Sequence, residues 1–203
     1  MGHAYIIGID EAGRGPLAGP VAVGVVCVST DFNWEAIPGV ADSKLLSPKK
    51  REAIYARAKE LQTQKKLYGC VELASAQMID QIGIVGAINE AMRICLERVE
   101  AELGFGPEEC EVRLDGALKA PQRFVSQRTI IKGDVKEKVI GLASILAKVT
   151  RDLHMVQLAQ QAPYMPYDLS THKGYGTRKH CEMIRLYGLS DIHRASFCSR
   201  LIV

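Results

Sequence analysis

Ala4-Tyr5-Ile6-Ile7-Gly8-Ile9, running into Asp10-Glu11-Ala12-Gly13-Arg14-Gly15-Pro16, is the stretch that decides the fold. The first six residues form a short apolar run that reads as a strand. Two adjacent carboxylates close it, and a glycine-rich turn with one arginine follows. A paired carboxylate suits a hard divalent cation. The Gly13-Arg14-Gly15 turn lets backbone amides come close to a phosphate or a sugar hydroxyl. Neighbouring strand residues point to opposite faces, so both carboxylates serve one site only if the strand ends there or one acts at longer range. An Asp-Glu pair is ordinarily a solvated turn, so the rest of the chain must supply its partners.

Further strands are expected over 21–28 and 67–73, short, apolar and rich in β-branched residues. Three strands before much helix suggest an antiparallel start to a sheet. Ser47-Pro48 has the form of a helix start and opens a helix over 49–64. Ser75 caps a short helix containing Met78 and Ile79. Ile84, Ile88, Ala91, Met92, Cys95, Val99 and Leu103 recur at helical spacing, giving a long amphipathic helix that stops near Gly104. Glu111-Val112-Arg113-Leu114-Asp115-Gly116 reads as a strand ending in Asp115. A short strand over 128–131 leads to Lys132-Gly133-Asp134, and helices follow over 140–159 and 177–187. The order predicts an α/β domain with a mixed central β-sheet flanked by helices.

Asp10-Glu11, Asp115 and Asp134 therefore share one grammar: each follows a short apolar strand and sits beside glycine. Strand ends on one edge of a sheet converge on a common crevice. Carboxylates gathered there repel one another unless a cation neutralises them. Oxygen-only ligation favours Mg²⁺ or Mn²⁺ over zinc, and such clusters serve phosphoryl transfer with two ions. Taken singly, Asp115-Gly116 and Gly133-Asp134 are plain turns; it is the joint pattern that favours a shared site.

At 203 residues the chain suffices for one substantial core and is short for two domains. With 47% hydrophobic and 24% charged residues it reads as an ordinary globular protein. The net charge of +3 does not announce a polyanion partner, but its distribution does more. Eight Lys/Arg stand against three acids over 42–66, and six Lys/Arg with three His against two acids over 171–200. These zones read either as solvated helix faces or as a footprint for a polyanion. No two of the six cysteines form a C-x-x-C pair, so zinc and redox motifs are not indicated, and the usage suits a reducing cytoplasm. The apolar run before Asp10 is too short for a signal peptide, and 21–28 is a strand's length rather than a membrane span. The chain has no G-x-S-x-G elbow and no G-K-[ST] ending of a P-loop.

Together these residues resemble ribonuclease HII of the type 2 ribonuclease H family. The resemblance is carried by residues 10–16, Asp42-Ser43-Lys44 with Leu46-Ser47, Asp115-Gly116 and Lys132-Gly133-Asp134. It continues through residues 143–152 (Ala-Ser-Ile-Leu-Ala-Lys-Val-Thr-Arg-Asp), His172-Lys173-Gly174-Tyr175 and His193-Arg194-Ala195-Ser196-Phe197. It covers roughly 5–197 and implies a ribonuclease H-like fold in a single catalytic domain over 1–203, with a helical substrate-binding segment from about 160. It implies a metal-dependent endonuclease that hydrolyses the RNA strand of RNA·DNA hybrids and incises 5′ to single ribonucleotides in duplex DNA, leaving a 5′-phosphate. Mg²⁺ or Mn²⁺, two ions during catalysis, would be held by Asp10, Glu11, Asp115 and Asp134. Gly13, Arg14 and Gly15 would read the ribose 2′-hydroxyl and the adjacent phosphate, and Tyr175 would stack at the ribonucleotide junction. Lys44, Lys173 and Arg194 would be phosphate or framework contacts. Ribonucleotide excision repair in the cytoplasm is the expected setting, and a monomer is expected because no helix shows a sustained exposed heptad seam.

The chain departs from the family where Ile140-Gly141-Leu142-Ala143 stands in place of a run of alanines. Gly141 should weaken the helix start by about 1 kcal/mol. Few residues follow Phe197, so a long tail for a sliding clamp is not expected, while a short contact through Leu201-Ile202-Val203 stays open. The rival readings are a hybrid-only ribonuclease of the HIII type, which usually has lysine at the position of Arg14 and an extra N-terminal domain, and a hybrid-binding relative without catalysis.

Overall fold

The computed structural model describes residues 3–40 and 46–201. Its centre is a five-stranded mixed sheet in the order β3-β2-β1-β4-β5. The strands are β1 (Tyr5–Ala12), β2 (Val21–Ser29), β3 (Tyr68–Ala74), β4 (Cys110–Asp115) and β5 (Gln127–Ile130). The first three form an antiparallel meander, as expected; β4 and β5 then run parallel to β1. The helices are α1 (Pro48–Thr63), α2 (Ala76–Leu103), α3 (Gly133–Lys136), α4 (Lys138–Ala159), α5 (Leu169–His172), α6 (Arg178–Tyr187) and α7 (Ala195–Cys198).

β2 is buried along nearly its whole length because helices cover both faces of the sheet. Its side chains alternate between two cores. Val21, Val23, Val25 and Cys27 pack with Ile7, Ile9 and the inner face of α2, while Val26 and Val28 meet α1 and α4. Two glycines let α4 lie close on the sheet: a Cβ at Gly8 would overlap the carbonyl of Val139, and one at Gly24 the carbonyl of Ala143. A third cluster joins the end of α4 to the C-terminal helices through Ala18, Met155, Tyr164, Tyr167, Leu169, Ile184 and Cys198.

Helix boundaries follow the local signals. Ser47 caps α1 by accepting from Lys50 N, and Ser75 caps α2 by accepting from Met78 N. The short helix and the long one expected after Ser75 are continuous in α2, with a kink at Gly83. Gly104 ends α2 in the left-handed region, at φ 70°.

Gly141 has a different meaning from the one its propensity suggests. A Cβ there would lie 2.7 Å from the carbonyl oxygen of Asp134 and 2.8 Å from that of Val40. The residue is small because the Asp134 turn sits directly on the start of α4. Leu142, the bulky departure from alanine, is fully buried in the core between α4 and the sheet.

Candidate active site

The parallel pairing of β1 with β4 ends at Ile9 opposite Leu114. The next residue on each strand is Asp10 and Asp115, so two carboxylates distant in sequence emerge side by side from one sheet edge. β1 runs three residues beyond the apolar run that ends at Ile9, and Asp10 and Glu11 still pair with Gly24 and Val23 of β2. Both line the same cavity nonetheless, because the strand stops at Ala12 and the chain turns away at Gly13, φ 88°.

The cavity measures about 420 Å³ and is lined by Asp10, Glu11, Asp115, the Gly13-Arg14-Gly15 turn, Ser144, Lys148, Arg51 and Tyr175. Asp10 is buried, and its carboxyl is pushed up to about 7. Burial is the main cause; the charges of Asp115 and Glu11 add to it, and hydrogen bonds from Ser144 and the Glu11 amide oppose it. Arg14 donates to Glu11 Oε1 at 2.8 Å.

Asp134 follows β5 and sits beside Gly133, as expected; it lies in the first turn of α3, fully buried, and is not among the residues that line the cavity. The cause is local: Lys132 adopts a left-handed conformation, φ 56°, and Gly133 N donates to Asp115 Oδ1 at 2.6 Å. Asp115 thus spends one oxygen anchoring the turn that carries Asp134. Lys173 lies outside this cavity and lines a smaller one with Pro48, Arg51 and Asp152. Lys44 and its neighbours Asp42 and Ser43, like Ile202 and Val203, lie outside the described residues.

Among the described residues no group of three or more His, Cys, Asp or Glu side chains is drawn into a ready coordination set. The donor chemistry still fits a hard cation. The donors are carboxylate oxygens alone, and a carboxyl raised by burial and further by two neighbouring carboxylates is the state a divalent ion relieves.

Two buried arginines hold the segment between β1 and β2, and the sequence settles a role for neither. Arg194 donates to the carbonyls of Gly13 at 2.8 Å, Arg14 at 3.0 Å and Gly19 at 3.0 Å. It is therefore a framework contact rather than a phosphate ligand. Arg151 donates to Pro20 O at 2.8 Å, Lys173 O at 3.1 Å and Ala18 O at 3.2 Å. The C-terminal basic zone is accordingly in part internal, since Arg194, His172, His180 and His193 are all buried. Ser144, Lys148 and Arg151 follow one face of α4 at i, i+4 and i+7, a spacing that was available in the sequence.

Residues 7–200 match the model of the family Ribonuclease HII. The Ribonuclease HII of Caldicellulosiruptor bescii is 40% identical over 201 residues, covering 99% of this chain and 90% of that protein. The crystal structure of the ribonuclease H2 from Pyrococcus horikoshii OT3 superposes with a TM-score of 0.67 at 26% identity, over 97% of this chain and 96% of that one. Bst-RNase HIII in complex with Mn²⁺ shares the fold at a TM-score of 0.70 and 17% identity, over 99% of this chain and 70% of that one. Among the described residues no helix is long and apolar enough to cross a membrane. With the match running nearly end to end over a sheet edge that carries paired carboxylates, the chain belongs to the ribonuclease HII family, nucleic-acid hydrolases with ribonuclease H endonuclease activity.

Proposed function

We propose that this protein hydrolyses the RNA strand of RNA·DNA hybrids and incises on the 5′ side of single ribonucleotides embedded in duplex DNA. The observation that carries the reading is one cavity holding Asp10, Glu11 and Asp115 against a glycine turn and an exposed tyrosine. The carboxylates face the bond to be cut, and the turn and the ring face the sugar beside it.

Asp10, Glu11 and Asp115 would hold Mg²⁺ or Mn²⁺, with Asp134 supporting them from beneath through the turn anchored on Asp115. When bound, the ions supply positive charge for the phosphate oxygens and a more acidic water as nucleophile. Ser144 fixes the rotamer of Asp10 by its hydrogen bond. The backbone at Gly13, Arg14 and Gly15 approaches the ribose closely enough to hydrogen-bond its 2′-hydroxyl, the group that distinguishes RNA from DNA. Arg14, half-exposed, exchanges its bond with Glu11 for the adjacent phosphate. Tyr175, 43% exposed, offers a ring that packs on a sugar or base without reading sequence. Lys148 and Arg51 line the same cavity and would meet phosphates, with Lys173 in the neighbouring one; Lys44 stays a phosphate contact by the family resemblance alone. The helical segment from about 160 completes the substrate surface by carrying Tyr175.

The test is cleavage of a labelled DNA duplex containing one ribonucleotide, with Mg²⁺, with Mn²⁺ and with chelator. A metal-dependent cut 5′ to that ribonucleotide is expected. Degradation of an all-RNA hybrid without that cut would move the protein to hybrid-only specificity, and no cut of either substrate would remove the catalytic assignment.

A further inference from the structure

Three buried histidines lie behind Tyr175, and their hydrogen bonds allow one assignment of protons. His172 Nε2 faces the carbonyl of Tyr167 at 2.8 Å, so that nitrogen carries hydrogen; its Nδ1 accepts from Gly174 N at 3.2 Å. His180 Nδ1 faces the carbonyl of Tyr175 at 2.9 Å and must donate, which leaves its Nε2 as an acceptor. His193 Nε2 lies 3.1 Å from that atom and donates to it, and His193 Nδ1 accepts from Ser190 N at 3.0 Å. The Ser190 hydroxyl also reaches His193 Nδ1, at 2.8 Å; every ring nitrogen has a partner, and each ring carries one hydrogen. The rings of His172 and His180 also stack, with centroids 4.3 Å apart.

The relay thus runs from Ser190 N–H through His193 and His180 to the backbone of Tyr175. His193 is bridged to Ala18, and its neighbour Arg194 grips Gly13 and Arg14. The dipeptide His193-Arg194 therefore holds both halves of the substrate-facing surface: the turn through guanidinium and the tyrosine through imidazole. The aromatic ring itself projects into the cavity, 5.9 Å from the cations of Lys148 and of Arg151.

We propose that His180, oriented by His193, is a positioning residue for Tyr175: its Nδ1–H fixes the peptide that aims the ring at the ribonucleotide junction. The inference rests on the reading of Tyr175 as the ring that meets the substrate. A residue that acts only on overall folding would affect all substrates alike. A residue that aims one ring affects the substrate that depends on that ring.

The experiment compares kcat/KM for a duplex with a single ribonucleotide against kcat/KM for an all-RNA hybrid, with melting temperatures measured alongside. Tyr175→Ala defines the ratio when the ring is gone. His180→Leu, which cannot donate, should shift the ratio in the same direction, on the order of 10-fold, as expected for a small misplacement near the reacting bond. His180→Asn, whose amide can occupy the position of Nδ1, should restore most of it. A parental ratio in His180→Leu, with the ratio changed in Tyr175→Ala, overturns the inference alone. Equal loss on both substrates, tracking the melting temperature, also overturns it. An unchanged ratio in Tyr175→Ala removes the role of Tyr175 and the inference with it.

Discussion

Arg194 Nη2 donates to the carbonyl of Gly13 at 2.8 Å across 181 positions of sequence. The turn beside the carboxylates is therefore shaped by the far end of the chain. Lysine at 194 would keep the charge but not the planar fork that serves three carbonyls. Each buried acceptor left without its donor costs about 1–3 kcal/mol. Arg194→Lys should lower the urea midpoint, and its kcat/KM should fall even at temperatures where the variant is fully folded. Parental kinetics in the folded variant would mean that the turn keeps its shape without the guanidinium.

Gly13 and Gly15 should separate structure from substrate contact. Gly13 has φ 88°, and a Cβ there would overlap the guanidinium of Arg151. Gly13→Ala should lose stability by roughly 1–3 kcal/mol together with activity. Around Gly15 there is open space, with no atom within 4 Å of an added Cβ. Gly15→Ala should leave the melting curve nearly unchanged, within about 0.5 kcal/mol, and still weaken cleavage, because the added methyl stands where the sugar must approach. Equal cleavage by Gly15→Ala and the parent would place the substrate elsewhere.

Asp10 is held at about 7 against an ordinary 3.8, mainly by burial. The folded state keeps this proton over a range where the unfolded state has lost it. Stability therefore declines as pH rises from 3.8 through about 7. At pH 8 in chelator, Asp10→Asn should melt higher than the parent, by up to a few kcal/mol in stability. Saturating Mg²⁺ should narrow the gap, because an ion that binds only the folded state stabilises it. Turnover in the variant should fall by roughly 10²-fold or more. A variant that melts lower in chelator would show that the carboxylate is not a source of strain.

His193 runs the other way. Burial, helped by the nearby His180, holds its imidazole down at about 4 from an ordinary 6.5. Between those values the unfolded chain binds the proton and the folded one does not. The stability it contributes is whole above 6.5 and is lost as pH falls through about 4. The contribution amounts to about 3 kcal/mol, and His180 is shifted in the same direction. Since Asp10 opposes this in an overlapping window, the check is the difference between the parent and His193→Gln. The parent should lose urea stability faster on acidification; parallel curves would mean that the ring is not buried neutral.

The local parts of this architecture were legible because local patterns make them. Ser47 and Ser75 cap the helices they were expected to cap, and the strand ending at Asp115 was marked by its apolar run and the glycine after it. The turn that carries Asp134 was not legible, because it depends on Lys132 taking φ 56°, which no side-chain preference of lysine announces. Gly141 was read as a weakness, since propensity contains no term for the Asp134 carbonyl beside it. The inward roles of Arg151, Arg194 and the histidines were not legible, because their partners are mostly backbone carbonyls and amides, and a carbonyl has no letter in a sequence.

The pairing that brings Asp115 beside Asp10, and the reach of Arg194 back to Gly13, give the enzyme a temporal order. A chain emerging from the ribosome presents Asp10, Glu11 and the glycine turn first, yet β1 lacks its parallel neighbour until β4 has been made. The turn lacks its clamp until Arg194 follows. Contacts this distant in sequence form late. A nascent chain thus carries Asp10, Glu11 and the glycine turn without their partners until β4 and Arg194 have been made.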